Sequence, residues 1–119
     1  MRHIGDQFAK NEVYVPQMLI AARAMNAGLA LIEPILARTD HKPLGVVCIG
    51  TVEGDLHDIG KNIVAMMLKG AGFQIMDLGT DCSKDDFQQA VDQGAQVVCL
   101  SALLTTTLPY MQSIVDHFK

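Results

Sequence analysis

The chain has 119 residues, half of them apolar, and a formal net charge of −4. That suffices for one domain with a modest core, and an acidic balance without a basic cluster argues against nucleic acid or an acidic membrane surface as partner. No apolar run approaches the roughly 18 residues of a membrane span, and Met1-Arg2-His3-Ile4-Gly5-Asp6 lacks an export pattern, so the expectation is a cytoplasmic protein without membrane contact. Helical periodicity opens the chain. Ile4 and Phe8 fall four apart, and beyond Asn11-Glu12 the residues Met18, Leu19, Ala22, Met25, Leu29, Ile32 and Leu36 recur at three- and four-residue steps. Helices are predicted over about 3–10 and 16–37, with Pro16 in the first turn, where its missing N–H costs little. Gly28 is a mild interior defect and Pro34 a kink or stop. Such a pair cannot bury its apolar stripe alone and must pack on something.

The polar run Arg38-Thr39-Asp40-His41-Lys42-Pro43 is the predicted boundary, dividing a helical unit 1–40 from a second unit 41–119. The pattern then becomes β-α-β-α-β-α, with strands 44–49, 73–78 and 96–101 and helices 59–70, 84–93 and 108–118. Ile59, Ile63, Met66 and Met67 are spaced to line one face of the first of these helices, which Gly70 and Gly72 stop; Ser83 caps the next, with Asp86 three residues on. Alternating strands and helices imply a doubly wound α/β fold, a parallel sheet with right-handed crossovers. Three strands are few for such a sheet, which typically has about five or six. The three cysteines are widely spaced, without Cys-x-x-Cys, so neither a disulfide framework nor a zinc site is indicated. Cys48 and Cys99 read as buried thiols within strands, and Cys82 as a turn residue open to solvent.

The segment Gly50-Thr51-Val52-Glu53-Gly54-Asp55-Leu56-His57-Asp58-Ile59-Gly60-Lys61-Asn62 joins the first strand to its helix, the place where open α/β sheets bind ligands. It is not a P-loop, since no Gly-Lys-Ser/Thr follows. A neutral imidazole can bind a transition metal through one nitrogen while the other donates to an acceptor that fixes its tautomer. Asp55, two residues before His57, can supply that acceptor, although a loop histidine capping the next helix is the plainer reading of an isolated His57. Asp58 reads as the N-cap of that helix, and Gly54 and Gly60 as turn residues or as small residues that admit a large planar ligand. Asp81, Asp85 and Asp86 read as solvated or capping groups, and His3, His41 and His117 as surface residues.

Asp55-Leu56-His57-Asp58-Ile59-Gly60 matches the Asp-x-His-x-x-Gly signature of cobalamin-binding modules. The wider run resembles the corrinoid methyl-carrier proteins of anaerobic methyltransferase systems and the cobalamin module of methionine synthase. Ser101-Ala102-Leu103-Leu104-Thr105-Thr106-Thr107 resembles the Ser-x-Leu stretch that lines the slot for the corrinoid's nucleotide tail.

The resemblance implies a flavodoxin-like or Rossmann-like domain over 41–119, truncated before a fourth strand ending in Gly-Gly, and a partial helical-bundle cap over 1–40. It implies cobalamin as cofactor, with cobalt bound from below by His57. Asp55 and the Thr107 hydroxyl would hold that histidine. Leu56, Asp58, Ile59 and Gly60 would lie in the cofactor-binding loop, Ser101 and Thr105 would face the tail and Leu103 would pack beside it. Tyr14, Val15, Met18 and Leu19 would approach the upper ligand, though ordinary helix packing accounts for Met18 and Leu19 equally well. The implied role is a non-catalytic carrier that takes a methyl group from a donor-specific methyltransferase and passes it to a corrinoid:acceptor methyltransferase, maintained by a reductive activation protein. The cobalamin-binding part of a carbon-skeleton mutase and a cobalamin-dependent sensor remain alternatives.

Overall fold

In a computed structural model, residues 2–36, 38 and 42–119 are described, and they form α1 (Arg2–Ala9), α2 (Val15–Leu36), β1 (Val46–Val52), α3 (Ile59–Gly70), β2 (Gln74–Cys82), α4 (Lys84–Asp92), β3 (Val97–Ser101) and α5 (Leu108–His117). The expected division between residues 40 and 41, and the surface position of His41, fall outside the described residues. The sheet is parallel in the order β2-β1-β3. The chain reverses direction across the sheet between β1 and β3, the switch point at which such sheets open a crevice at the carboxyl ends of their strands.

Central β1 is buried from Val47 to Val52, with only Val46 partly accessible. Cys48 and Val52 join Cys82, Phe87, Ala90, Ala95 and Ile114 in a core between the sheet and α4 and α5. Gly50 lies in the same row because an added Cβ would come within 2.9 Å of the Phe87 ring and 3.0 Å of Cys82 Sγ. On the opposite side α3 packs on the sheet and α1 packs on α3, with the Met67 methyl 3.1 Å from where a Gly5 Cβ would stand.

Two strands run further than predicted. β1 continues through Gly50, Thr51 and Val52, and β2 through Gly79 to Cys82. The glycines and aspartates there suggest turns, but pairing of Gly50 with Leu100 and of Thr51 with Ser101 holds β1 extended. Cys82 is consequently buried at 2 % exposure and donates to the Leu78 carbonyl, and burial pushes its thiol pKa up. Cys99 is only partly buried.

Lys61 and Ala65 form the fully buried positions of α3, while Ile59 is 62 % exposed at the helix start. Gly72 rather than Gly70 ends this helix. At φ 103° it lets the Phe73 amide reach the Leu68 carbonyl and its own amide reach that of Lys69, a Schellman closure. Ser83 and Asp86 form the expected capping box.

α2 continues past Pro34 to Leu36, so the proline does not end the helix there. By length and composition it could cross a membrane, although it holds no unbroken apolar run: Arg23, Asn26 and Glu33 interrupt the sequence without making it polar on average. Its predicted stripe is buried only at Met18 and Ala22; Ile32 is 47 % exposed.

Candidate functional site

β1 delivers the site through a turn. The Asp55 amide donates to the Val52 carbonyl at 3.1 Å, and Gly54 in the third position has φ 79°, the left-handed value a type II turn requires there. The turn swings the Asp55 side chain inward, where it is fully buried.

One carboxylate oxygen of Asp55 serves His57. Oδ1 lies 2.7 Å from His57 Nδ1 and accepts the His57 amide at 3.1 Å. Oδ2 accepts from the β3–α5 segment: the Leu103 amide at 2.8 Å, the Leu104 amide at 3.2 Å and the Thr107 hydroxyl at 2.8 Å. The Leu103 N–H beside it holds the Asp55 carboxyl well below the usual carboxylate range, against the opposing effect of burial, with the His57 and Thr107 bonds adding to the shift. An ionised carboxylate only accepts. The proton between the two side chains therefore sits on Nδ1, which makes Nε2 the nitrogen that carries the lone pair in the neutral ring.

A further anchor was not visible in the sequence. Thr51, fully buried, donates to the His57 carbonyl at 2.9 Å. The histidine is thus gripped by its ring Nδ1, its amide and its carbonyl, while its side chain stays 51 % exposed and Nε2 meets no described residue.

His57 lines a cleft of about 540 Å³ with Leu56, Asp58, Ile59 and Gly60 on one side and Ser101, Ala102 and Leu103 on the other. The cleft lies at the β1/β3 switch point. Asp55 and Thr107 are buried beside it rather than lining it, and neither Thr105 nor Tyr14 is among its lining residues. Tyr14 is 63 % exposed, as is the Leu103 side chain at 68 %, so the bond that Leu103 contributes to the site is its backbone N–H.

Thr107 occupies the N-cap position of α5 but makes no capping bond; its hydroxyl turns to Asp55 and the Leu104 carbonyl. Asp58 likewise stands at the N-cap of α3 without a capping bond. Its φ of −124° and ψ of −9° lie outside the extended geometry that aims a capping side chain, and its carboxylate accepts from Asn62 Nδ2 instead. Asn62 in turn accepts from Lys61 Nζ, which is also 2.6 Å from Asp77. This buried lysine ties the start of α3 to β2.

The acidic residues Asp81, near the end of β2, and Asp86, in the first turn of α4, also divide. Asp86 caps α4 as expected, but Asp81 accepts the Gly54 amide at 2.7 Å rather than only meeting solvent. His117 lies at the surface, 3.0 Å from Gln88.

The donor set suits a metal that brings most of its own coordination. Among the described residues no group of three or more His, Cys, Asp or Glu side chains is placed to hold a bare ion, so the site offers a single nitrogen. An added Cβ on Gly60 would find nothing within 4 Å, so the protein's own packing does not require glycine there, and the position leaves room for a flat ligand to approach the helix start. A larger groove of about 840 Å³ between α2, α3 and β2 includes Glu33 and Lys69, which pair with each other, and it contains neither His57 nor Asp55.

The sequence matches a family described as "B12 binding domain" over residues 45–119, and a second family of the same description over residues 1–33. It is 43 % identical over 122 residues to the trimethylamine corrinoid protein of Methanosarcina barkeri and 41 % identical over 120 residues to dimethylamine corrinoid protein 3 of Methanosarcina acetivorans. Each alignment covers 100 % of this chain and 56 % of the relative, so the chain spans about half the length of these proteins. Among solved structures, a cobalamin-binding protein from Desulfitobacterium hafniense superposes with a TM-score of 0.78 at 32 % identity, covering 97 % of this chain and 54 % of that one. A chain of the methanol:cobalamin methyltransferase complex MtaBC from Methanosarcina barkeri superposes with a TM-score of 0.81 at 29 % identity, covering 97 % and 45 %.

Proposed function

The chain belongs to the B12-binding domain family, and from that premise we propose that it is a corrinoid-binding methyl carrier with His57 as the lower axial ligand of cobalt. The observation that carries the reading is the His57 imidazole, fixed through Nδ1 to a buried Asp55 carboxylate and leaving Nε2 open in the switch-point cleft. When bound, the corrinoid supplies the cobalt on which the methyl group travels.

Every other part of the task falls to the chain's own side chains and backbone amides. Asp55 fixes the tautomer and the orientation of the ring. Thr107, Leu103 and Leu104 hold Asp55 by donating to its second oxygen. Because the Leu103 N–H holds the Asp55 carboxyl well below the usual carboxylate range, Asp55 would keep the shared proton on Nδ1 and leave Nε2 as the nitrogen that would hold the metal. Ser101 and Leu103, on the far wall of the cleft, would hold the nucleotide tail. The helical unit 1–40 serves as a cap over the upper face, with Tyr14 toward the upper ligand, and unit 41–119 carries the cofactor; the family match over residues 1–33 supports this division.

The methyl donor comes from a donor-specific methyltransferase, the acceptor enzyme is a second methyltransferase, and a reductive activation protein restores the cofactor, all in the cytoplasm. Similarity to a chain of a methyltransferase complex supports the methyltransferase partners. The protein on this reading is a carrier rather than a complete enzyme.

The test is to incubate the purified chain with methylcobalamin, remove free cofactor by gel filtration and record the absorption spectrum. One corrinoid per chain with a base-off, histidine-ligated spectrum is expected. Absence of retained corrinoid, or a spectrum in which the cofactor's own benzimidazole remains bound to cobalt, would overturn the proposal.

A further inference from the structure

We infer that Asp81, at the bulged end of β2, is a positioning residue for the His57 site. The inference rests on the reading of His57 as the cobalt ligand. Pairing between β1 and β2 loses step near the carboxyl end of the sheet: Ile49 faces Asp77, Gly50 faces Gly79 and Val52 faces Cys82. The last step sets two residues of advance on β1 against three on β2, so β2 carries a surplus residue in that interval. Bulges of this kind re-aim side chains beside functional sites.

Asp81 lies in that interval with φ 56°, a left-handed conformation that otherwise occurs, among described non-glycine residues, only at Asn11. Such a conformation is unfavourable for an L-residue and least so for Asn and Asp. The position is held by two bonds to the loop that carries the site. The Asp81 amide donates to the Asp55 carbonyl at 3.1 Å, and Asp81 Oδ1 accepts the Gly54 amide at 2.7 Å.

Together with the Asp55 amide bond to Val52, these contacts fix the peptide groups on both sides of Asp55 without using its carboxylate. The carboxylate is then free to face His57 with one oxygen and the β3–α5 segment with the other. Without the Asp81 carboxylate the Val52–Asp55 turn has one anchor fewer, and the Asp55 side chain loses its fixed approach to His57. Asp81 touches neither the imidazole nor the cleft, so it acts through Asp55.

Three substitutions in the full chain separate the contributions. Asp81→Asn keeps both the left-handed preference and an acceptor for Gly54. Asp81→Gly relaxes the backbone and deletes the acceptor, so the protein folds while the clasp opens; Asp81→Ala deletes the acceptor and keeps the strain. Hydrogen exchange is measured first on the cofactor-free proteins. The His57 and Leu103 amides, both bonded to the Asp55 carboxylate, should lose protection in Asp81→Gly and keep it in Asp81→Asn, while β1 amides stay unchanged in both.

The second readout is the ratio of histidine-ligated to histidine-free methylcobalamin in the bound cofactor at pH 7. It should fall about tenfold in Asp81→Gly, the low end of losses for groups that orient a ligand's partner, fall at least as far in Asp81→Ala, and be retained in Asp81→Asn. Wild-type protection and ratio in Asp81→Gly would overturn the inference, and so would equal losses in Asp81→Asn. If the wild-type protein itself shows no histidine ligation, the reading of His57 fails, while the exchange measurement still decides whether Asp81 positions Asp55.

Discussion

α2 and β1 are both rich in apolar residues, and the protein uses them in opposite ways. β1 is seven residues long and buried on both faces from its second residue onward. α2 is 22 residues long and buries only Met18 and Ala22, leaving Ile20, Leu31 and Ile35 each more than 60 % exposed. Apolar content therefore does not distinguish the region that builds the site from the region that flanks it. What distinguishes them is packing from two sides. A strand between two neighbours and two helix layers has few ways to move, and the turn at its end inherits that rigidity. Of the residues that orient His57, Thr51 and Asp55 hang from this central strand, while Leu103 and Leu104 follow the edge strand β3 and Thr107 stands at the start of α5.

Truncating Phe87, which is fully buried against β1, should produce the largest loss of stability. Phe87→Ala is expected to cost about 3–5 kcal/mol, as large-to-small core changes do, whereas Leu31→Ala, at a position 77 % exposed, should stay within about 0.5 kcal/mol. Urea denaturation of the two variants measures the contrast directly. Comparable losses would show that α2 is as firmly integrated as the sheet.

How much of this was legible beforehand follows the same divide. The order of elements, the capping box at Ser83 and Asp86, and the pairing of Asp55 with His57 depend on local spacing, and each stands in the structure as the sequence suggests. Features that depend on distant backbone were hidden. The amides of Leu103 and Leu104 carry no side-chain signature, so the sequence could suggest only the Thr107 hydroxyl as a partner for Asp55. The last residues of β1 and β2 looked like turns because Gly50, Gly79 and Asp81 are turn-forming types, whereas Gly50 is set by the space Phe87 leaves and Asp81 by the turn it clasps. Cys82 is hidden for the same reason, since the strand that buries it extends through those turn-forming residues.

Gly60 offers a finer test, because its neighbourhood separates folding from binding. Nothing in the protein lies within 4 Å of an added Cβ, and alanine in a helix is favoured over glycine by roughly 0.5–1 kcal/mol. Gly60→Ala should therefore leave the protein as stable as before or slightly more so, while lowering its affinity for corrinoid; thermal melting and a cobalamin titration report the two halves. Loss of stability with binding intact would make the glycine a structural requirement.

The smallest effect is expected at the Asp86 cap. Ser83 bonds to its carboxylate and holds its pKa below the ordinary value, so its contribution is fully present above the unfolded pKa of about 3.9 and fades as pH falls through the lower folded value. Asp86→Asn should remove less than about 1 kcal/mol, with the difference from wild type closing at acid pH. A gap that persists unchanged below pH 3 would assign the effect to something other than the charge.

The central claim is that His57 Nε2 is the nitrogen that meets cobalt, and electron paramagnetic resonance of the cobalamin-loaded protein in the cobalt(II) state tests it most directly. An axial nitrogen splits each cobalt line into a triplet. Wild-type protein loaded with cobinamide, which has no benzimidazole of its own, should show triplets, and His57→Ala should show single lines. Triplets that survive in His57→Ala would place another residue under the cobalt and contradict the assignment of the site.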